Sequence, residues 1–264
     1  EKMLYDQAQL AVSYLEAFQV TGEEFFAGVA RDIFEYVVRD MTAPEGGFYS
    51  AEDADSAIDP ERPDVKGEGA FYIWAQAEIE EVLGRPAAEW SCRRFGVEKD
   101  GNVREDPHSE FTGRNILFEA SDVDVTQADL ATAKAALLAA RARRIRPHLD
   151  DKILTAWNGL MISAFALGAQ VLEEKRYEDA AVRATEFVLA RLYDKETGIL
   201  LRRYREGEAA IPGFLDDYAF LAQALLDVYE TCFEVRYLET ALRLTEKQRE
   251  LFEDGEQGAF YSTS

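Results

Sequence analysis

Hydrophobic and polar residues follow a plan that recurs three times along the chain. In each copy an apolar helix is followed by a short turn, an amphipathic helix and a strand led by glycine. The predicted apolar helices span residues 4–18, 157–172 and 218–229. A helix that is apolar all round has to be enclosed, whereas an amphipathic helix buries one face and wets the other. The pattern therefore predicts an inner layer of helices wrapped by an outer layer.

The spacing of the three copies is nearly constant. From the polar residue near the start of each apolar helix to the glycine after the amphipathic helix there are 40, 40 and 41 residues, for the pairs Asp6/Gly46, Asn158/Gly198 and Asp217/Gly258. Two helices and their turns fill such a unit. An open solenoid obeys the same packing logic. We expect instead an all-α (α/α) toroid of helical hairpins, with short β-hairpins at one rim.

An insertion at residues 57–150 separates the first two copies, within one expected domain spanning residues 1–264. Its sequence predicts an acidic loop bracketed by Pro60 and Pro63, a strand at 69–74, and helices at 75–83, 86–95 and 126–146. We expect the insertion to supply another helix pair and a lid. Closing a six-hairpin ring needs more residues, so the chain is expected to be a segment of a longer protein.

The charge of the chain excludes two classes of partner. It carries 51 acidic and 29 basic residues, for a net charge of −22. Such a surface repels nucleic-acid phosphate and anionic lipid, so we expect neither as a partner. Only 8 of the basic residues are lysines. Acid-rich, lysine-poor surfaces suit high salt, which leads to the hypothesis of a halophilic source.

Cysteines and hydropathy both indicate a cytoplasmic protein. The two cysteines, Cys92 and Cys232, are far apart and form no disulfide framework. The uncharged run from 155 to 172 reaches the length of a membrane span. However, it contains Asn158 and Gln170 and is bracketed by charges. We therefore expect it to be a buried helix of a soluble protein.

A polar residue near the start of each inner helix is the first candidate for function. Asp6, Asn158 and Asp217 occupy matching positions in the three copies. Each is a candidate helix cap that satisfies free backbone N–H groups. Equivalent positions of a ring also fall at one end, so these side chains are expected to converge on one mouth of a central cavity. Both interpretations can hold together.

Carboxylates and aromatic residues near that rim suggest sugar chemistry. Asp53 or Asp55 facing Asp217 would resemble the paired carboxylates that hydrolyse glycosides, one as acid and the other as base or nucleophile. A solvated acidic loop is the alternative for Asp53 and Asp55. Tyr49 and Trp157 are candidates to stack on a sugar ring, although aromatics at helix starts more often belong to the core. With them, the proposed substrate-binding residues are Asp6, Tyr49, Asp151, Trp157 and Asn158.

Other motifs are weaker. Arg141, Arg143, Arg144 and Arg146 form a basic island that either pairs with neighbouring carboxylates or recognises an anionic substrate such as a uronate or phosphate. The two histidines, His108 and His148, are too few to predict a metal site. The chain has no glycine-rich phosphate loop and no nucleophile elbow, so we expect no cofactor.

Five motifs resemble one known family. Residues 1–6, 47–56, 69–74, 150–161 and 214–219, which include the runs SAEDADS and DDKILTAWNGLM, look like the YyaL-like, spermatogenesis-associated protein 20 family. The resemblance implies a thioredoxin-like domain followed by a six-hairpin, glycosidase-like toroid related in fold to N-acylglucosamine 2-epimerase. This chain resembles part of that toroid only. Gln7 stands where the family would have Asn.

Three hypotheses about function follow. The first is a carbohydrate-active protein whose cavity binds a sugar or oligosaccharide, with Asp53, Asp55 and Asp217 as acid and base candidates. The second is an epimerase-like isomerase, which needs a base beside a carbonyl. The third is a non-catalytic binding or scaffold module attached to the thioredoxin-like domain. The fold resemblance supports a carbohydrate cavity by analogy only.

Overall fold

The computed structural model describes residues 1–59, 61–105 and 111–263. The described chain divides into two compact units. The smaller unit comprises Glu1 and Asp53–His148, and the larger comprises Lys2–Glu52 and Leu149–Ser264. The helices, in chain order, are α1 (Leu4–Thr21), α2 (Glu24–Asp40), α3 (Gln76–Leu83), α4 (Arg85–Arg94), α5 (Gln127–Arg141), α6 (Thr155–Leu172), α7 (Lys175–Arg191), α8 (Leu215–Cys232) and α9 (Val235–Phe252).

Strands are short and lie in four small antiparallel sheets. In chain order they are β1 (Lys2–Met3), β2 (Ala51–Glu52), β3 (Asp55–Asp59), β4 (Arg62–Glu68), β5 (Leu149–Asp150), β6 (Ile153–Leu154), β7 (Leu201–Arg205), β8 (Glu208–Pro212), β9 (Glu253–Asp254) and β10 (Ala259–Phe260). The sheet orders are β1-β2-β5, β3-β4, β6-β7-β8 and β9-β10. Helices therefore dominate, and the expected all-α class is confirmed.

The larger unit consists of three helical hairpins, α1–α2, α6–α7 and α8–α9. The inner helix α6 packs against both other inner helices, α1 and α8, and each inner helix also packs against its own outer partner. Inner helices backed by outer helices are the repeated element of an (α/α) toroid, as the periodicity predicted. The apolar inner helix α6 is buried along more than half of its length. It is the one helix in the described chain long and apolar enough to span a membrane. Its place in the core confirms the expected buried helix.

Each hairpin turns through two residues, the first of which has a left-handed backbone. These residues are Gly22 (φ 70°), Glu173 (φ 55°) and Phe233 (φ 59°). Only glycine adopts this conformation without steric cost, because a Cβ atom crowds the following carbonyl. The same turn thus forms from three different residue types, two of which tolerate strain.

Close approach of α6 to α8 depends on a residue without a side chain. A Cβ atom added at Gly159 would lie 2.7 Å from the backbone carbonyl carbon of Phe220. That separation is well inside normal van der Waals contact, so only glycine fits here. On the other side of α6, the ring of Phe165 stacks on the rings of Phe34 and Phe48, with centroids 4.6 Å and 5.3 Å away.

A repeated side-chain clasp joins successive outer helices. In α9, Arg236 donates to the hydroxyl of Tyr237 (2.8 Å) and forms an ion pair of 2.9 Å with Glu186 of α7. In α7, Arg176 makes the same bond to Tyr177 (2.8 Å) and pairs with Glu35 of α2. The motif Glu-x-Arg-Tyr that supplies the clasp starts at Glu174 and again at Glu234, a repeat that our sequence analysis missed.

The smaller unit corrects three local expectations. Residues 69–74, predicted as a strand, form turns and a single bridge at Trp74, because the amide of Tyr72 bonds back to the carbonyl of Gly69 (2.7 Å). The predicted acidic loop is instead largely the β3–β4 hairpin; Pro60 lies outside the described residues. The helix predicted at 126–146 ends at Arg141. The other two predicted helices are found as α3 and α4.

Candidate functional site

The starts of the three inner helices lie together at one end of the larger unit. The side-chain oxygen of Asn158, in the first turns of α6, accepts a bond of 2.8 Å from the amide of Phe48, near the sheet that leads into α1. The carboxylate of Asp217, in the first turn of α8, accepts a bond of 2.9 Å from the amide of Ala156 at the start of α6. The equal spacing of the repeats therefore corresponds to a shared end.

Asn158 is built into the wall of this end. Its side chain is fully buried. Besides accepting from the amide of Phe48, its amide nitrogen donates to the carbonyls of Phe48 (2.9 Å) and Leu154 (3.0 Å). These three bonds use most of the capacity of an amide side chain. Asn158 thereby fastens the segment before β2 to the start of α6.

Asp217 is also buried in the wall, with 0% of its surface exposed. Its second oxygen accepts from the amide of Phe214 (2.9 Å) and lies 3.0 Å from a guanidinium nitrogen of Arg202. Burial raises the pKa of Asp217, against the opposing effect of the amide of Phe214 and the charge of Arg202. The carboxylate caps two helices at once, its own and α6.

Asp6 is the exposed member of the three matching polar residues. Beside it, the rings of Tyr5 and Trp157 meet edge to face with centroids 4.9 Å apart. Both residues are partly exposed, and Trp157 also packs against the hydrophobic core. The accessible part of this end, which we call the aromatic rim, consists of Tyr5, Asp6 and Trp157. It joins the start of α1 to the start of α6.

Tyr49 and Asp151 lie near one another in the same unit. Burial raises the pKa of Tyr49, and the charges of Asp151 and Glu45 raise it further. One oxygen of Asp151 is 2.7 Å from the guanidinium Nε of Arg205. Asp151 therefore forms an ion pair that joins the segment before β6 to the β7–β8 hairpin. The side chains of Asp151 and Arg205 are both partly exposed.

Asp53 and Asp55 lie in the smaller unit, where both are partly exposed. The amide of Asp53 donates to the carbonyl of His148 (2.8 Å), and Asp55 begins β3 opposite Glu68. The sequence hypothesis that one of them faces Asp217 stays a prediction.

The larger unit also contains a buried carboxylate, Glu52, which the sequence pattern did not single out. Glu52 is 2% exposed and accepts a hydrogen bond of 2.9 Å from the hydroxyl of Tyr36. The amine of Lys2, which faces Glu52 across the β1–β2 pair, lies 4.6 Å from the centre of the Tyr36 ring. The signal was available, because Glu52 stands inside the acidic run beside Asp53.

The part of the chain that the structure describes contains no cluster of side chains suited to bind a metal ion. No group of three or more His, Cys, Asp and Glu side chains there has the arrangement of a metal site. His148 is exposed, and His108 lies outside the described residues. The two cysteines, Cys92 and Cys232, are free thiols.

Inner helices that pack side by side, each backed by an outer helix, place the chain in the class of (α/α) toroid proteins. Models of protein families give no match to the chain. Human spermatogenesis-associated protein 20 is 39% identical over 291 residues, which cover 99% of this chain and 37% of the human protein. An uncharacterised protein of Caenorhabditis elegans, B0495.5, is 36% identical over 92% of this chain and 37% of its own length.

The chain is a homologue of part of spermatogenesis-associated protein 20, and the resemblance of its motifs to that family is confirmed. It spans about 37% of the length of the relatives it matches. A solved structure, cellobiose 2-epimerase from Spirochaeta thermophila DSM 6192, superposes with a TM-score of 0.55 at 10% identity, covering 98% of this chain and 46% of the epimerase. This likeness shows the fold, an (α/α) toroid of which the chain supplies a part.

Proposed function

We propose that the larger unit binds a carbohydrate at the aromatic rim. The observation that carries the proposal is the contact between Tyr5 and Trp157, two partly exposed residues whose ring centroids lie 4.9 Å apart. Aromatic rings with one open face pack against the C–H face of a sugar while polar neighbours bond its hydroxyls. A pair of rings at an angle of 66° offers two such surfaces in different planes.

The polar groups around the rim suit hydroxyl recognition. Asp6 is exposed beside the pair and has acceptor oxygens for sugar hydroxyls. Asp151 and Tyr49 retain partial exposure in the same unit. Asn158 supports the rim indirectly, because its three hydrogen bonds fix the first turns of α6, where Trp157 lies. We assign Asn158 a positioning role rather than direct contact with the sugar.

The fold supports this proposal at the level of class. The solved structure with a TM-score of 0.55 carries the name of an enzyme that acts on cellobiose. Because one fold hosts many functions, that likeness favours a carbohydrate without identifying it. The proposal also includes a reaction on that carbohydrate, which is either hydrolysis or epimerisation.

Asp53 and Asp55, two of the acid and base candidates of the sequence hypothesis, are partly exposed but lie in the smaller unit, so they are not assigned to the rim. Asp217, by contrast, has three N–H donors on its two oxygens and no exposed surface. A general acid or base has to reach the substrate within hydrogen-bond distance. We therefore propose that Asp217 positions the rim rather than reacting with the sugar.

Ligand binding at the rim is testable by tryptophan fluorescence. The full chain is titrated with cellobiose, mannobiose and N-acetylglucosamine, and with a non-sugar polyol as a blank. We expect a saturable change in emission from Trp157 with at least one sugar. The variant Trp157→Phe should lose the signal, and Tyr5→Leu should weaken binding by about tenfold, as expected for loss of one stacking surface.

Two variants make the outcome specific. Trp90→Phe removes a tryptophan of the smaller unit and should leave the saturable change intact. Asp6→Asn keeps the shape of the rim and should weaken binding less than Tyr5→Leu. If calorimetry finds no sugar that binds, or if Tyr5→Leu binds every active sugar as tightly as the natural chain, the proposal is wrong. The sequence hypothesis that Asp53 and Asp55 are catalytic is tested separately, by assaying Asp53→Asn and Asp55→Asn for turnover of any sugar that binds.

A further inference from the structure

The smaller unit contains a cavity that the proposed rim does not use. Its volume is about 660 Å³, within the range of sites for small organic molecules. The described residues that line it lie on the β3–β4 hairpin, on the turns at 70–73, on α3, near Arg114 and just after α5. We call this cavity the insertion pocket. All of these residues belong to the smaller unit.

Positive charge dominates the insertion pocket. Arg114, Arg143, Arg144 and Lys66 line it, against the two carboxylates Glu68 and Glu78. In a chain with a net charge of −22, an excess of cations around one cavity is a local reversal of sign. Such a reversal favours an anion over a neutral or cationic ligand.

Ion pairing within the pocket leaves part of this charge unmatched. Glu78 is shared by two guanidinium groups, that of Arg114 at 2.9 Å and that of Arg144 at 3.6 Å. Arg143 is exposed and makes no ion pair with any described residue. Surface pairing, the simpler explanation for the arginine cluster, therefore accounts for Arg114 and Arg144 but not for Arg143.

Arg144 is held rigidly at the wall. One of its nitrogens donates to the carbonyls of Phe71 (3.0 Å) and Ile73 (2.6 Å), and its guanidinium lies 4.1 Å from the centre of the Trp74 ring. These contacts fix the plane of the group before any ligand arrives. A guanidinium of fixed orientation loses little conformational entropy when it binds a carboxylate or phosphate.

A buried hydroxyl at the pocket also lacks a partner. Ser56 lines the pocket and is 2% exposed, and its hydroxyl oxygen has no hydrogen bond to any described residue. A buried polar group left unpaired is energetically unfavourable, so a ligand oxygen that bonds it would gain affinity. Phe71 and Ile73 supply apolar surface beside it.

We propose that the insertion pocket binds a small organic anion, with its phosphate or carboxylate group against Arg143, Arg114 and Arg144 and its body against Phe71 and Ile73. The anionic group is common to sugar phosphates and uronates, which differ in charge and geometry. This site is separate from the aromatic rim, and neither proposal depends on the other.

The test is calorimetric titration of the full chain with glucose 6-phosphate, glucuronate, inorganic phosphate and glucose. We expect saturable binding of glucose 6-phosphate or glucuronate that weakens as salt is raised, and no binding of glucose at the same concentration. Preference for glucose 6-phosphate with measurable binding of phosphate identifies the phosphate arm. Preference for glucuronate identifies the carboxylate arm.

Arg143→Gln is the decisive variant, because this exposed side chain has no ion-pair partner to lose among the described residues. This substitution should lower the affinity for the anion by about tenfold, the effect of removing one charged hydrogen-bond donor. Arg93→Gln removes the same charge from an exposed site on α4 and should change the affinity less than twofold. Absence of binding by both anions, equal binding of glucose, or equal effects of the two variants would overturn the proposal.

Discussion

Asp217 and Ala156 are separated by 61 residues, yet the carboxylate of the former accepts a hydrogen bond of 2.9 Å from the backbone amide of the latter. This bond ties the start of one inner helix to the start of the preceding one. Since the same carboxylate also bonds Phe214 and Arg202, it concentrates several contacts in one buried group.

Replacement of Asp217 by alanine should destabilise the protein strongly. The amides of Ala156 and Phe214 and the guanidinium of Arg202 would lose their common acceptor, at a cost of about 3–5 kcal/mol. Asp217→Asn should cost less, because burial already raises the pKa of the carboxyl and a neutral amide still accepts one of these bonds. Urea unfolding measures both changes. Asp6→Ala, an exposed change at the matching position of α1, should stay within about 1 kcal/mol of the natural chain.

Asn158 gives a second stability test with a distinct chemical signature. In Asn158→Asp the side chain keeps its shape but loses both donors to the carbonyls of Phe48 and Leu154. A buried carboxylate would then face two carbonyl oxygens, and we expect a loss of about 3 kcal/mol or more at neutral pH. The loss should shrink in acid, where the new carboxyl is protonated. Equal unfolding midpoints at neutral pH for the variant and the natural chain would contradict this role.

The hairpin turns predict a stabilising substitution. Glu173 is exposed and has a left-handed backbone at φ 55°, in the place that Gly22 occupies in the first hairpin. Relief of this strain in Glu173→Gly, less the extra entropy of an unfolded glycine, should stabilise the protein by about 0.5 kcal/mol. Gly22→Ala should have the opposite sign. Thermal and urea unfolding of the two variants, side by side, check the prediction.

Acid stability should depend on Lys152. Burial alone would raise the pKa of Asp150. Hydrogen bonds from Lys152, whose Nζ lies 2.9 Å and whose amide lies 3.4 Å from the carboxylate, lower this pKa below the usual value. A depressed pKa in the folded state contributes stability above the unfolded pKa, and that stability is lost as pH falls through the folded value. Lys152→Met should therefore bring acid unfolding to a higher pH.

The effect should be a few tenths of a kcal/mol, because both side chains are about a third exposed and solvent screens the pair. Unfolding free energies measured from pH 6 to pH 3 give the comparison. Lys134→Met, an exposed change on α5, is the matched control and should leave the pH dependence unaltered.

Periodicity predicted the hairpins well, because burial of an apolar helix is a property of many residues at once. The inner helix α6 covers the predicted apolar helix 157–172, with two more residues at its start. The strand predicted at 69–74 is absent because a short segment is determined by a few specific contacts rather than by many residues at once. A short aromatic run has the composition of a strand, but the bond from Tyr72 to Gly69 closes a turn instead, and such local choices depend on tertiary contacts.

The shared end of the inner helices was predictable from the sequence, whereas the orientation of each polar side chain there was not. Equal spacing located Asp6, Asn158 and Asp217 at one end of the larger unit. Whether a polar side chain near a helix start bonds backbone amides or faces solvent depends on what packs beside it. In α6 and α8 the neighbouring segments Phe48 and Ala156 supply those amides, and in α1 Asp6 is left exposed. The sequence alone does not contain this difference.

The clasp between outer helices bears on how hairpins can be added to or lost from such a protein. Arg236 reaches back to Glu186 and Arg176 reaches back to Glu35, so each connection spans one hairpin and no further. A gene segment that encodes one hairpin therefore encodes the arginine of its own clasp, and it needs only a glutamate on the outer helix of the preceding hairpin. Duplication of that segment would lengthen the array without altering any existing joint, and loss of the terminal hairpin would leave the others fastened as before.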